Sequence, residues 1–255
     1  MPQWMRCEYQ GQTRLGSLDH DEVTFHTGDL FAGPQPTGEK APLSAVRLLT
    51  PTDPSKMICL WNNFHQLAAK LNLATPPEPL YFIKAASSYH PGGQPIRRPR
   101  AYDGKVVFEG ELGIVIGKRC KEVSEQEAPG YIFGYTCIND VTAAEILNKD
   151  ASFAQWTRAK SFDTFGVFGP VVATGLDPAK LVVQTHLDGT ERQNYPVTDM
   201  VFQPARLVSL ISQDMTLEPG DVIACGTNVG VGSMKPGSKI AITIDGVGTL
   251  SNTFE

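Results

Sequence analysis

Glu109 and Glu111 stand two residues apart in the stretch FEGELGIVIG, Phe108 to Gly117. If that stretch is a strand, alternation sends both carboxylates to one face and Phe108, Gly110, Leu112, Ile114 and Ile116 to the other. Like-facing strand residues lie roughly 7 Å apart, so the two carboxylates can share one site, where a cation, a proton or water relieves their repulsion. The glutamate face continues as Gly113, Val115 and Gly117, small residues that leave room above the strand. The alternative is a solvated acidic face over an apolar one. Asp140 ends a second apolar run, YIFGYTCIND; it offers a third carboxylate, or else a helix cap. Three carboxylates without a nearby Cys or His make an all-oxygen donor set, which selects magnesium, manganese or calcium over zinc or copper.

Lys160 lies in QWTRAKSFDTFG, Gln155 to Gly166, with Asp163 at helical spacing. Either the two form a surface ion pair worth roughly 0.2–0.5 kcal/mol, or the ammonium reaches the carboxylates and steadies a developing oxyanion. The loop GTNVGVG, Gly226 to Gly232, has neither the Gly-Lys-Ser/Thr of a phosphate loop nor a third glycine opening a helix. Between GDVIACGT and KIAITI it suits a tight backbone wrap around a small ligand, with the Thr227 hydroxyl and nearby amides as donors.

The elements around these residues read as one sizeable β-rich domain, residues 51–255, preceded by a small β-rich region, 1–50, with a Pro-rich exit at Pro34 and Pro36. His20 and His26, six apart, match no helical metal pair. Asp53-Pro54 looks like a helix start, and Met57, Leu60, Trp61, Phe64, Ala68 and Leu71 fit helical spacing; MICLW fits a buried strand equally well, with the helix beginning after Asn62-Asn63. LYFIKAASS is a strand, a polar helix is expected near Ser124–Ala128, and Thr142-Ala-Ala-Glu145 has the form of a capping box. A short helix from Pro204 turns Leu207, Leu210 and Ile211 inward, and Asp188-Gly189 and Asp245-Gly246 mark turns.

The net charge of -5 argues against phosphate-driven nucleic-acid binding, and the Arg97-Arg98-Pro99-Arg100 run reads as a solvated loop. Five scattered cysteines with no C-x-x-C pair point to a reduced, cytoplasmic setting. MPQWMRCEYQ lacks the character of a signal peptide, and no stretch approaches the roughly 20 apolar residues of a membrane span. A soluble protein that contacts neither membrane nor nucleic acid is expected.

Together FEGELGIVIG, GYTCINDVTA, QWTRAKSFDTFGVFGP, MTLEPGDVIACGT and DGVGTLSN resemble the fumarylacetoacetate hydrolase family, from about Met57 to the end of the chain. The resemblance implies an α+β, β-rich fold, a mixed β-sandwich roll with a few short helices, and a homodimer. It matches Glu109, Glu111 and Asp140 to the family's divalent-metal ligands (magnesium or manganese), Lys160 to its active-site lysine and Thr227, beside Gly226, to its substrate-binding threonine. The implied substrate is a small 2-oxo or β-diketo acid that chelates the metal while a C–C bond breaks to an enolate.

Family hydrolases often carry Asn-Tyr, then His three residues on and Glu three further, on a lid that activates water. Here the match is Asn63-Phe64, which puts Leu67 and Lys70 at the His and Glu positions. His65 and His90 are the candidate substitutes, with Asn63 on the substrate side. Where relatives carry Arg-Asp after the metal aspartate, this chain has Ala144 and Glu145. The resemblance therefore leads first to hydrolysis of an acylpyruvate-like acid. Decarboxylation or keto–enol isomerisation of 2-oxo dicarboxylic acids, or a catalytically silent metal-binding relative, stand as alternatives.

Overall fold

The computed structural model describes residues 2–255. Ten strands hydrogen-bond in one continuous order: Gln35–Pro42, Glu22–Thr27, Gln12–Asp19, Gln3–Tyr9, Gly166–Ala173, Ile132–Asp140, Gly110–Ile116, Val222–Ala224, Met57–Trp61 and Leu80–Lys84. Arg47–Leu48 and Tyr89–His90 attach to its side. The pairs are antiparallel except Val222–Ala224 with Met57–Trp61 and Tyr89–His90 with Gly166–Val167, so the sheet is mixed. The N-terminal strands thus extend the same sheet that carries the acidic strand, through Gln3 and Trp4 against Ala173 and Val172.

A second sheet, Thr190–Pro196, Val182–Leu187, Lys239–Ile244 and Gly248–Thr253, packs against the middle of the first. Leu112, Ile114 and Ile116 face it and join Ile240, Ile242, Val183 and Leu250 in the main core. On the opposite face a smaller core joins Met57, Cys59, Phe82, Val115, Ile138, Phe168 and Val222. With both faces covered, the whole of Gly110–Ile116 is buried, so the solvated-face alternative is excluded for Glu111, while Glu109, just before the strand, is half-buried. The result is the expected β-rich sandwich roll. Among the described residues the α-helices are short, the longest being Pro204–Asp214 with Leu207, Val208 and Ile211 inward and Leu210 only half-buried.

Several local expectations change. MICLW is a strand because Val222–Ala224 on one side and Leu80–Lys84 on the other offer its backbone ladder partners; the helix begins at His65. Ser124–Glu127 closes a side-chain-bonded turn, followed by a 3-10 turn at Ala128–Tyr131. The proposed capping box does not form: the helix Ala144–Leu147 starts from Ala143 without a side-chain cap. The small residues beyond Glu111 leave no room either, because a Cβ on Gly113 would lie 2.8 Å from Ile138 and Thr136 side-chain atoms.

Candidate active site

The acidic stretch is two strands broken at Glu109. Val106–Phe108 pairs with Thr142–Ala143 and Gly232–Met234 in a small three-stranded sheet, whereas Gly110–Ile116 belongs to the large one. At the break, Glu109 N donates to Asn139 Oδ1 (3.1 Å) and Asp140 N donates to the Glu109 carbonyl (2.9 Å). This pairing carries Asp140 to the two glutamates. One carboxylate oxygen from each of Glu109, Glu111 and Asp140 falls within 4.8 Å of the others.

Two ammonium groups enter from different elements. Lys160, at the end of the helix Trp156–Lys160, donates to Glu109 Oε1 and Asp140 Oδ2, both at 2.8 Å, so the alternative of a surface pair with Asp163 is not realised. Lys84, at the end of the edge strand, brings its Nζ to 2.6 Å from Asp140 Oδ1 and donates to the Lys160 carbonyl. Its approach to Oδ1 is close as an ion pair but off the directional geometry of a hydrogen bond. Both lysines are buried. Burial alone would discharge Lys160, but Asp140, Glu109 and Glu111 outweigh it and raise its pKa. Burial likewise works against the charge on Asp140, and Lys160 and Lys84 overcome it, holding that carboxyl below its ordinary value.

Glu111 is the uncompensated member. It is 0 % exposed; Gly226 N donates to its Oε2 at 2.9 Å, while Oε1 is buried without a hydrogen-bond partner. Burial first, then Asp140 and Glu109, push its pKa well above the ordinary carboxylate value. With all three carboxylates ionised, two ammonium groups leave one negative charge uncompensated, and burial answers by favouring a proton on Glu111 unless a cation takes its place. A divalent cation fits this donor set: it would satisfy the free Glu111 oxygen, and the all-oxygen ligands suit a hard ion.

The remaining site residues fall into two groups. Gly226 adopts φ +87°, a conformation that favours glycine, and this aims its amide at Glu111. Thr227 does not present a free donor: its hydroxyl donates to the Gly110 carbonyl (2.9 Å) and accepts from Gln193 Nε2 (2.8 Å), leaving only an acceptor lone pair. Asn63 is spent on structure, donating to the Cys225 carbonyl (2.8 Å) and accepting from Phe202 N (2.9 Å). It is a brace beneath the Gly226 turn rather than a group open to a ligand.

Neither histidine joins the carboxylates. His65 is exposed at the first helical position after buried Phe64. The half-buried His90 pairs with Val167, and its ring faces the backbone of Gln94 and Pro95 in its own loop.

Lys84 and Thr142 were missed as site residues. The trace of Lys84 in the sequence is a single cationic residue closing the apolar run LYFIK, which has meaning only if the run is buried. Thr142, read as a cap, instead donates to Glu109 Oε1 at 2.7 Å. Glu145, its supposed capping partner, accepts from Lys105 N (2.8 Å) and from the Tyr102 hydroxyl. Gln193 and Tyr195, from the second sheet, hold Gly110 from behind: its amide donates to Gln193 Oε1 (3.0 Å) and its carbonyl accepts from the Tyr195 hydroxyl (2.5 Å).

Residues 56–255 match the model of the fumarylacetoacetate (FAA) hydrolase C-terminal family, and residues 3–51 match an Rv2993c-like N-terminal model. Oxaloacetate tautomerase YisK of Bacillus subtilis is 36% identical over 224 residues, covering 82% of this chain and 73% of that protein. The crystal structure of a 2-hydroxyhepta-2,4-diene-1,7-dioate isomerase from Mycobacterium marinum superposes with a TM-score of 0.91 at 36% identity, covering 100% of this chain and 98% of the other. Maleylpyruvate hydrolase from Sphingobium sp. SYK-6, solved with manganese(II) and pyruvate, superposes at 0.81 with 26% identity, covering 99% and 98%.

Proposed function

The chain belongs to the fumarylacetoacetate hydrolase family, and on that premise we propose that it is a divalent-metal-dependent keto–enol isomerase of small 2-oxo acids. The observation that carries this choice over hydrolysis is the placement of the helix His65–Lys70. Leu67, where hydrolytic relatives carry the lid histidine, is 8 % exposed and packed in the main core. Lys70, where they carry the glutamate, is exposed. Phe64 meets Tyr195 edge-on at 5.0 Å, and Asp199 accepts from Gln66 N (3.1 Å) and from Asn228 Nδ2 (2.8 Å), tying the helix to the glycine loop. With Leu67 in the core and Lys70 exposed, the helix offers neither His nor Glu at the two positions from which hydrolytic relatives activate water.

Isomerisation asks less of the chain. A magnesium or manganese ion held by Glu109, Glu111 and Asp140 would supply Lewis-acid polarisation of the substrate's oxygen atoms. Lys160, already fixed on two of those carboxylates, would donate a proton to the substrate's 2-oxo oxygen while a solvent water takes the C3 proton and returns an equivalent one to the lysine, so that C3–H is exchanged for O–H with no net change in the protein. Thr142 and the Gly226 amide hold Glu109 and Glu111 in orientation, and the dry surroundings strengthen each of these interactions. No water has to act as a nucleophile. The two relatives whose names describe keto–enol or double-bond isomerisation support the same reading.

The test follows the enol absorbance of oxaloacetate with and without magnesium or manganese, alongside an acylpyruvate. Metal-dependent enol–keto exchange without release of pyruvate from the acylpyruvate is the expected result. Metal-dependent cleavage of the acylpyruvate at a comparable kcat/KM would return the assignment to hydrolysis.

A further inference from the structure

Beside the carboxylate centre, Trp61, Leu80, Tyr81, Phe82 and Trp156 line a slot of about 270 Å³. We propose that this slot is a subsite for the apolar, planar tail of a 2-oxo acid whose head lies at Glu109, Glu111 and Asp140; the proposal rests on the functional reading above and narrows its substrate class.

Three observations support it. The first is continuity with the centre at both ends. Trp156 opens the helix that ends in Lys160, four residues later, and residues at that spacing share a helix face. Trp156 stacks on Phe82 (centroids 5.5 Å apart, 20° between planes), and Lys160 Nζ lies 5.4 Å from the same Phe82 ring. At the other end Leu60, next to Trp61, sets its carbonyl against Gly226, so that a Cβ there would lie 3.3 Å from it. Gly226 is the residue whose amide holds Glu111. The slot and the carboxylate centre therefore share Phe82 and the Trp156–Lys160 helix as a common wall.

The second observation is its chemistry. Trp61 leans on Trp156 at 5.1 Å and 46°, giving aromatic walls, while Leu80, 42 % exposed, stands at the mouth. None of the five lining side chains is charged. Such walls favour a planar apolar group by stacking and burial and give a second carboxylate no cationic partner.

The third is size. Apolar cavities of roughly 150 Å³ accept benzene, so this slot has room for one aromatic ring with its linking carbons.

Calorimetry on the full chain with saturating magnesium, comparing pyruvate with 2-oxo-4-phenylbutanoate, tests the proposal without requiring turnover. The expected result is at least tenfold tighter binding of the phenyl acid, accompanied by a change in tryptophan fluorescence. Trp156→Ala and Trp61→Ala, checked for folding by circular dichroism, should bring the affinity ratio below about threefold, and Trp156→Phe should restore most of it. If wild-type protein binds pyruvate but gives the phenyl acid no advantage and no fluorescence change, the subsite is refuted while the 2-oxo acid reading stands. If neither acid binds, both fall. A ratio that survives both alanine variants also refutes it, as does a dimer that Leu80→Arg converts to monomer, which would make the slot a contact between copies of the chain.

Discussion

Lys84 Nζ lies 2.6 Å from Asp140 Oδ1 with both side chains buried, and Lys160 takes the other oxygen of the same carboxylate at 2.8 Å. One aspartate is thereby held between two ammonium groups from two different elements, and Lys84, by donating to the Lys160 carbonyl, also ties the second lysine's helix to the edge strand.

Removing one member of a buried charge set leaves its partner unpaired, at a cost of about 3–5 kcal/mol. Lys84→Met should destabilise near the lower end of that range, because Lys160 still serves Asp140. The double variant Lys84→Met/Asp140→Asn should recover part of the loss. Urea unfolding of the two single variants and the double measures this coupling; strict additivity would mean that Lys84 and Asp140 do not interact.

Glu111 leads to effects of opposite sign with and without metal. In chelator, Glu111→Gln should raise the melting temperature, since it removes a buried carboxylate that lacks a counter-charge. With magnesium or manganese added, wild type should gain stability, about 2.7 kcal/mol at a hundredfold excess over Kd, and Glu111→Gln should not. Glu109→Ala and Asp140→Ala should lose the same cation-dependent gain. Metal-dependent shifts that persist in all three variants would remove the carboxylates as ligands.

Lys160→Met should lower kcat for oxaloacetate enol–keto exchange by about 10²–10³, the scale for losing one oriented donor to a developing oxyanion. Cation-dependent stabilisation should remain, because the three carboxylates are intact. Turnover within threefold of wild type would show that the ammonium serves only the fold.

His90 gives a pH dependence away from the carboxylates. Burial, aided by Arg97 and opposed by the Gln94 and Pro95 backbone, lowers its pKa from an ordinary value of 6.5. The unfolded chain then binds a proton at a pH where the folded one does not, so stability falls as pH drops below about 6.5 towards the depressed folded value. His90→Asn should flatten the melting temperature across that window relative to wild type. An identical slope in the two proteins would show that His90 titrates alike folded and unfolded.

By itself the sequence determined what each local segment could offer. Spacing along FEGELGIVIG marked Glu109 and Glu111 as a pair, the apolar run before Asp140 made that residue a strand end, and the absence of Cys and His nearby set the hardness of any bound ion. These are properties of period and composition, and they hold whatever the strand pairs with. Which groups meet across the chain was decided only by tertiary structure. Lys84 and Lys160 are 76 residues apart, and nothing local distinguishes Lys84 from a surface lysine until the helix Trp156–Lys160 packs on its strand. Thr142 has the spacing of a helix cap, yet the break at Glu109 pairs its segment with Val106–Phe108 and turns its hydroxyl to a carboxylate. His65 and His90 are the right residue type for a base, but the helix and strand that carry them leave one exposed and turn the other to its own loop. Burial settled the rest: a glutamate pair is unremarkable in water, and Glu111 becomes a candidate cation ligand because both faces of its sheet are covered and one of its oxygens has no partner.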